Sequence, residues 1–304
     1  MRISTNTIYQ TGINKITALQ AEQVKLQEQI STGRRISTPA DDPVAAANAL
    51  ELSYAQGINA KFADTRKTAE LKLNTLESSL TSISTLLVSA QSSLVAAGNG
   101  SYSDSERMNI GSELSGSLEM LIGLANTKDS SGNYLYSGYQ TTTKPFTASP
   151  TGATYAGDSN QQLLQVDSQR QMAINVSGDS VFQSAGNDVF SGLTDIIGLL
   201  NTPITDATTQ AAFSTGLATA IDKLRGSVDN ILNIRASIGS KLNEIDGLNL
   251  SGSDRDLQYS KSLSNLQDLD YATALSDLTK QQTMMEAAQK SFVSTTSLSL
   301  FKYI

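Results

Sequence analysis

The residues of this 304-residue chain that could do chemistry are chiefly carboxylates, because it contains no histidine and no cysteine. Asp41 and Asp42 are adjacent and could hold a metal ion as a pair. Four further aspartates gather towards the C-terminal end: Asp254, Asp256, Asp268 and Asp270. They lack the spacing and the final bidentate glutamate of a calcium loop, so solvated acidic faces explain them better. Without the commonest general base and without a thiol, the sequence predicts no enzyme, no metal site and no cofactor.

The composition also limits the possible partners. The net charge is −7 and the pI is about 4.7, which disfavours a nucleic-acid ligand. No run of residues approaches the roughly 20 apolar residues of a membrane span, and residues 1–6 lack the apolar core of a signal peptide. We therefore expect a soluble protein that contacts neither nucleic acid nor membrane, and any export must use another route.

A joint between two helices, at residues 30–46, gives the aspartate pair a structural explanation. Gly33 follows a helical pattern at the point where a helix C-terminus favours positive φ. Pro39 and Pro43 cannot continue that helix. Asp42 before Pro43 is typical of an N-cap followed by proline at the first helical position. The sequence thus predicts an interdomain joint made of Gly33, Pro39, Asp41, Asp42 and Pro43.

Thin apolar seams at the two ends of the chain predict helices that pair with each other on assembly. In residues 5–32 the seam has Gln23 at one position, and an ordinary surface helix is the alternative. Near the C-terminus the seam is weaker, with Ala274, Gln281, Ala288 and Thr295 among its positions. The last seven residues are mostly large and apolar, which makes them costly to expose. The predicted assembly interface comprises Ile16, Leu19, Leu26, Ile30, Leu278, Met285, Phe292, Leu298, Leu300 and Phe301.

Two longer seams predict a pair of long helices. The outgoing seam runs in unbroken 3-4 alternation from Ala69 to Ala97, and residues 98–100, Gly-Asn-Gly, end that helix. The return seam runs from Leu217 to Ile245, with Arg235 as its charged exception. We expect Arg235 to fix the register or to reach a carboxylate.

Short sequence signals predict where further helices begin and end in the two helical arms of the chain, which are the outgoing arm at residues 44–133 and the return arm from residue 187 onwards. Ser103 and Glu106 form a capping box for a helix that folds back along the first. Asn187 or Asp188 caps a shorter return helix that stops near Pro203. Residues 251–254, Ser-Gly-Ser-Asp, predict a break in the return arm.

Between the arms the apolar period changes from 3.6 to 2, which predicts strands and hairpins over residues 134–183. Tyrosines in this region are best explained by cross-strand packing. The fold class is therefore mainly α: an elongated antiparallel, coiled-coil-like bundle with paired N- and C-terminal helices and a small β-rich insertion. We expect three domains: terminal helices at 1–43 plus 270–304, a long bundle with a β-hairpin at 44–145 plus 186–269, and a β-rich outer domain at 146–185.

Two motifs resemble the flagellin superfamily of axial proteins, and the resemblance covers the whole chain. Residues 30–46 are similar to that family's Ser-Thr/Ser-Gly-Arg/Lys-x-Ile…Asp-Asp joint, and residues 268–272 resemble the motif that opens its C-terminal helix. The start at residues 1–5, Pro43 after Asp-Asp, residues 132–146 and the ending at 298–301 resemble the hook–filament junction branch rather than filament flagellin.

The resemblance implies a structural adaptor of the bacterial flagellum. It implies a ring of copies of this chain between hook-associated protein 1 and flagellin. It also implies an extracellular location, reached through the flagellar type III apparatus with a chaperone on the C-terminal helix. A minor filament flagellin is the alternative, and a type III secreted translocator is a more distant one.

Overall fold

Helices dominate the computed structural model, which describes residues 5–184 and 186–297. The helices are α1 Thr5–Thr32, α2 Pro43–Ala97, α3 Asp104–Ala125, α4 Gly178–Phe182, α5 Val189–Leu200, α6 Ala207–Gln267 and α7 Tyr271–Ser297. The strands are β1 Phe146–Ser149, β2 Gly152–Tyr155, β3 Leu163–Asp167, β4 Arg170–Ala173, β5 Gln183–Ser184 and β6 Asn187–Asp188. The prediction of a mainly α fold is confirmed.

The chain forms two compact units, residues 1–59 with 253–304 and residues 60–252. α2 and α6 each contribute to both units. These bounds differ from those of the predicted three domains, in which 146–185 stands apart. That three-part division stays a prediction.

The core of the 60–252 unit follows the predicted seams closely. Every α2 seam position from Ala69 to Ala97 is almost fully buried. α6 buries Leu217, Leu224, Ile231, Ile238 and Ile245 in the same cluster. Arg235 does reach a carboxylate, because its Nη2 lies 2.7 Å from Oε1 of Glu77 on α2. A stripe of buried apolar side chains on each helix is what an antiparallel packing partner requires.

The helix boundaries largely agree with the local signals. α2 ends at Ala97, where the predicted Gly-Asn-Gly segment begins, and Ser103 with Glu106 forms the predicted capping box of α3. Asp188 is the N-cap of α5, since its side chain accepts the backbone N–H groups of Phe190 and Ser191. α3 packs closely against α5, and the Ser93 hydroxyl donates to the Glu113 carboxylate across α2 and α3 at 2.8 Å.

The predicted break at residues 251–254 is wrong, because α6 continues through them to Gln267. Gly252 is buried there. A glycine in a helix interior costs about 1 kcal/mol, which is too little to end a helix of 61 residues.

The region predicted as strands and hairpins contains hairpins, but its first residues are not strand. The strands form separate antiparallel pairs, β1 with β2, β3 with β4 and β5 with β6. Tyr134 makes only an isolated bridge with Lys128, and residues 135–139 are turns. The cause lies in Gly132 and Gly138, whose φ angles of 83° and 69° turn the chain before a strand can extend. Cross-strand packing is confirmed for Tyr155, whose ring lies 5.1 Å from that of its partner Phe146.

The expectation that no segment approaches a membrane span needs correction for α2. One 18-residue window of this helix is apolar enough by length and composition, and 39% of that window is buried inside the protein. Leu80, Ile83 and Leu87 have no exposed surface. The apolar character of α2 is therefore explained by its place in the core.

Candidate assembly surface

The joint after α1 depends on one left-handed residue. α1 ends at Thr32, and Gly33 follows with a φ of 71°. A Cβ at this position would lie 2.9 Å from the Tyr271 hydroxyl oxygen at the start of α7. The Leu269 N–H donates to the Gly33 carbonyl at 2.9 Å. Glycine is therefore required both by the backbone conformation and by the close approach of the C-terminal segment.

Asp41 and Asp42 are used as hydrogen-bond acceptors within the joint. Asp41 accepts the Thr38 N–H at 2.8 Å and pairs with Lys25 of α1 at 2.7 Å. The hydrogen bond from Lys25, followed by that from the Thr38 backbone, lowers the pKa of the Asp41 carboxyl to about 2. Asp42 accepts the Ala45 N–H at 3.0 Å, which confirms it as the N-cap of α2, whose first residue is Pro43.

Two arginines that the sequence argument did not single out connect the joint to the end of α6. The Arg35 N–H donates to the Gln267 carbonyl at 2.7 Å, and its Nη2 donates to the Leu266 carbonyl at 2.9 Å. Arg34 forms an antiparallel bridge with Asp268. Two adjacent basic residues directly after Gly33 could have indicated from the sequence that this segment makes contacts of its own. Together these contacts hold the segment that follows α1 to the end of α6.

α1 and α7 pack side by side in antiparallel directions. The Tyr9 ring meets the Phe292 ring edge-on at 4.9 Å between centroids. Further along, Gln281 Nε2 donates to the Glu22 carboxylate at 2.8 Å. The pair ends where Tyr271 meets Gly33. Residue numbers rise along one helix as they fall along the other, so the two helices are antiparallel.

The predicted seam residues lie along this contact. Each residue of the predicted assembly interface within the described part of the chain is half-buried, namely Ile16, Leu19, Leu26, Ile30, Leu278, Met285 and Phe292. Among the described residues, Thr296 rather than Thr295 is the half-buried threonine at the end of the α7 seam, because Thr295 is exposed. Leu298, Leu300 and Phe301 lie outside the described residues. That these side chains contact neighbouring subunits stays a prediction.

Gly12 extends the seam by one turn before Ile16 and was missed by the sequence argument. A Cβ there would lie 2.5 Å from Phe292 Cδ2, so the aromatic ring packs directly on the α1 backbone. Gly12 lies four residues before Ile16, which is the spacing of a seam position. A glycine has no apolar side chain, so the hydrophobic pattern did not mark it as part of the seam.

The helix pair leaves apolar side chains exposed on its outer faces. Val24 of α1 and Val293 of α7 are each 63% exposed, and Leu275 is 52% exposed. Ala274 is the only buried residue within Tyr271–Ser297. Two helices that bury so little of their own surface have apolar area left for further partners.

Three of the four C-terminal aspartates accept hydrogen bonds from neighbouring residues. Asp256 accepts Gln56 Nε2 at 3.0 Å, and Asp268 accepts the Ser264 hydroxyl. Asp270 accepts the Ala272 N–H at 3.0 Å and so caps α7. Among residues 5–184 and 186–297, no group of three or more potential ligands is placed to hold a metal ion.

Comparison with known proteins gives these features a context. Residues 3–141 match the family described as the bacterial flagellin N-terminal helical region. The chain is 37% identical, over 99% of its own length and 99% of the relative, to flagellar hook-associated protein 3 of Escherichia coli strain K12. The chain belongs to the hook-associated protein 3 family.

The likeness to flagellins is weaker than the likeness to this family. A flagellin of Listeria innocua is 24% identical over 95% of this chain and 93% of its own length. The solved structure of hook-associated protein-3 from Legionella pneumophila shares the fold, with a TM-score of 0.66 and 18% identity over 73% of this chain and 98% of that one. Over the whole chain, the sequence is thus more similar to hook-associated protein 3 than to flagellin.

Proposed function

We propose that this protein is a structural adaptor of the bacterial flagellum, joining hook-associated protein 1 to the flagellin filament. The observation that carries the proposal is the 37% identity, over 99% of both chains, to a protein named flagellar hook-associated protein 3. The positive φ of Gly33 and the backbone N–H groups accepted by Asp41 and Asp42 support the proposed joint.

The terminal helices are the elements that assemble. The seam between α1 and α7 is only half-buried, and valine and leucine side chains remain on the outer faces. Copies of this chain in a ring would cover those faces, with Leu298, Leu300 and Phe301 contributing to the same surface. A thin seam offers little packing to offset the entropy of ordering two long helices. Contacts with neighbouring subunits therefore supply the rest of the stabilisation.

The 60–252 unit supplies the rigid part of the subunit. In the proposed pairing, Leu76, Ile83 and Leu94 of α2 face Leu224, Ile231 and Ile238 of α6 in reverse order. The Glu77–Arg235 ion pair supports this register, because both residues lie beside positions that the pairing brings together. All six apolar side chains belong to one buried cluster.

Export follows from the same proposal. Helices with so thin a seam are easily unfolded, which suits passage through the flagellar type III apparatus and capture of the C-terminal helix by a chaperone. The protein then works outside the cell.

A deletion strain tests the proposal. We expect such cells to keep their hooks, to lack filaments and to release unpolymerised flagellin into the medium. The full-length gene should restore filaments, whereas Leu26→Asp with Met285→Asp should not, because both charges enter the seam. Normal filaments in the deletion strain would overturn the proposal.

Matched variants separate a seam effect from a charge effect. Gln27→Asp with Gln282→Asp adds the same charges one residue from the seam, on exposed positions. This variant should restore filaments. Equal loss in both variants would show that charge, and not the seam, decides assembly.

A further inference from the structure

The loop between α2 and α3 contains the only Asn-Gly pair of the sequence, Asn99-Gly100. Residues 98–101 are all exposed. The loop forms a turn in which the Tyr102 N–H donates to the Asn99 carbonyl at 3.0 Å. The Ser101 N–H donates to the Asn99 side-chain oxygen Oδ1 at 3.1 Å. The side chain of Asn99 is therefore folded back over its own backbone.

One backbone donor of this turn is left unused. The N–H groups of Gly98 and Asn99 bond to carbonyls of α2, and those of Ser101 and Tyr102 bond to Asn99. Gly100 N–H makes no hydrogen bond to any other described residue. Nothing lies within 4 Å of the place where a Gly100 side chain would begin. The nitrogen is thus accessible to solvent base and close to the Asn99 carboxamide.

We propose that Asn99 is a site of spontaneous deamidation. The Gly100 nitrogen gives its proton to solvent base and attacks Asn99 Cγ, which forms a five-membered succinimide. The Cγ–Nδ2 bond breaks and the nitrogen leaves as ammonia. Water then adds to one of the two succinimide carbonyls, and the bond from that carbon to the ring nitrogen breaks, with the nitrogen taking a proton. Opening at Cγ gives aspartate, and opening at the backbone carbonyl gives isoaspartate. The hydrogen bond from Ser101 to Oδ1 draws electrons from Cγ and favours the attack.

The product changes the charge at one end of the 60–252 unit. Asn99 lines a cavity of about 320 Å³ together with Arg107 and Phe213. Deamidation puts a carboxylate into a cavity lining that also contains Arg107, and it makes the net charge of −7 one unit more negative. The reaction needs no enzyme, so modified chains accumulate with age. This inference does not rest on the proposed function.

Peptide mapping of the full chain after long incubation at physiological temperature tests the site. Trypsin releases one peptide, residues 73–107, that holds both Asn74 and Asn99. Asn74 lies within α2 and is followed by threonine, so it is an internal reference. We expect the mass shift and the isoaspartate signal at Asn99, rising from neutral to mildly alkaline pH, with Asn74 unchanged.

Gly100→Ala is the matched control. Its φ is not in the left-handed range and its side chain would meet open space, so the variant should fold. A Cβ on residue 100 hinders the attacking nitrogen, and most of the deamidation at Asn99 should be lost. Deamidation at Asn99 no faster than at Asn74, or unchanged in Gly100→Ala, would overturn the proposal.

Discussion

At the scale of single residues, the carboxylates of this chain serve to end and begin helices. Asp41, Asp42, Asp188 and Asp270 all accept backbone N–H groups at turns or helix starts. Hydrogen bonds stabilise the charged form and lower the pKa of three of these carboxyls: chiefly the bond from the Lys25 side chain for Asp41, from the Ala45 backbone for Asp42 and from the Thr273 side chain for Asp270. A lowered carboxylate pKa here marks a cap rather than a catalytic acid.

Asp41→Asn tests this role through its pH dependence. The pKa of Asp41 falls from 3.8 to about 2 on folding. The stabilisation of the folded state by the ionised carboxylate is therefore complete above a pH of about 4 and is lost as the pH falls towards about 2. Because Asp41 pairs with Lys25 of α1, we expect the assembled form of the variant to melt at a lower temperature than that of the natural chain at neutral pH, and this difference to shrink over that window. A difference independent of pH would contradict a role for the charge.

Gly33→Ala should weaken the joint by about 1–2 kcal/mol, because alanine is strained at a φ of 71°. Its Cβ would also press on the Tyr271 hydroxyl. Hydrogen exchange at the Leu269 amide, which donates to Gly33, is the local measurement. Gly57→Ala is the control, since it lies within α2 with open space around it and should stabilise by about 0.5–1 kcal/mol. Equal effects of the two variants would refute this account.

At the scale of elements, the sequence predicted helices better than strands. Helix ends depend on caps within a few residues, so Gly33, Pro43 and Ser103 marked them correctly. The break at residues 251–254 failed because continuity of a long helix outweighs one glycine. Strands and hairpins were predicted over residues 134–183, and residues 135–139 of that range are not strand because Gly132 and Gly138 turn the chain. Contacts such as that of Gly12 with Phe292 join distant residues and leave no local signal.

The β3–β4 hairpin is held to the long helices by two arginines in different environments. Arg66 of α2 is fully buried, and it donates to the Val166 carbonyl at 3.1 Å and to Asn249 of α6 at 2.7 Å. Arg170 is half-exposed and pairs with Glu244 of α6. Burial makes the first contact costly to lose, whereas solvent weakens the second.

Arg66→Met should therefore destabilise the protein by about 3 kcal/mol, because it leaves buried acceptors without their donor. Arg170→Met should cost less than about 1 kcal/mol, as exposed ion pairs do. Denaturant unfolding of both variants measures the difference. A larger loss in Arg170→Met than in Arg66→Met would reverse the assigned roles.

At the scale of the whole molecule, the two compact units differ in how well they are packed. The 60–252 unit has a continuous core with aromatic residues such as Phe146, Phe182 and Phe190, none of which is exposed. The terminal helix pair relies on half-buried side chains. In the structure the pair is formed within one chain. That the pair forms only on assembly stays a prediction, and it is the one on which the mechanism depends.

Paired substitutions in the two units test that mechanism. Leu80→Asp or Ile231→Asp places an unpaired carboxylate in the core, which costs several kcal/mol and should unfold the monomer. Leu26→Asp and Met285→Asp alter the half-buried seam, so they should leave the main melting transition nearly unchanged while preventing filament attachment. Circular dichroism of each monomer and motility of each strain give the two readouts. A melting transition shared by the seam and core variants would contradict the division.

Hydrogen exchange on the purified monomer locates the boundary directly. We expect protection from exchange across residues 60–252, where the apolar core is buried. We expect little protection at residues 5–32 and 271–297, because packing along the thin seams offsets little of the entropy lost on ordering these helices. Removal of residues 298–304 should leave the melting temperature nearly unchanged and abolish filament attachment, if those side chains serve neighbours. Strong protection at Leu26 and Met285 in the free monomer would refute folding coupled to assembly. Protection that appears only in the assembled form would establish it, because the same seam would then be stable only with its neighbours present.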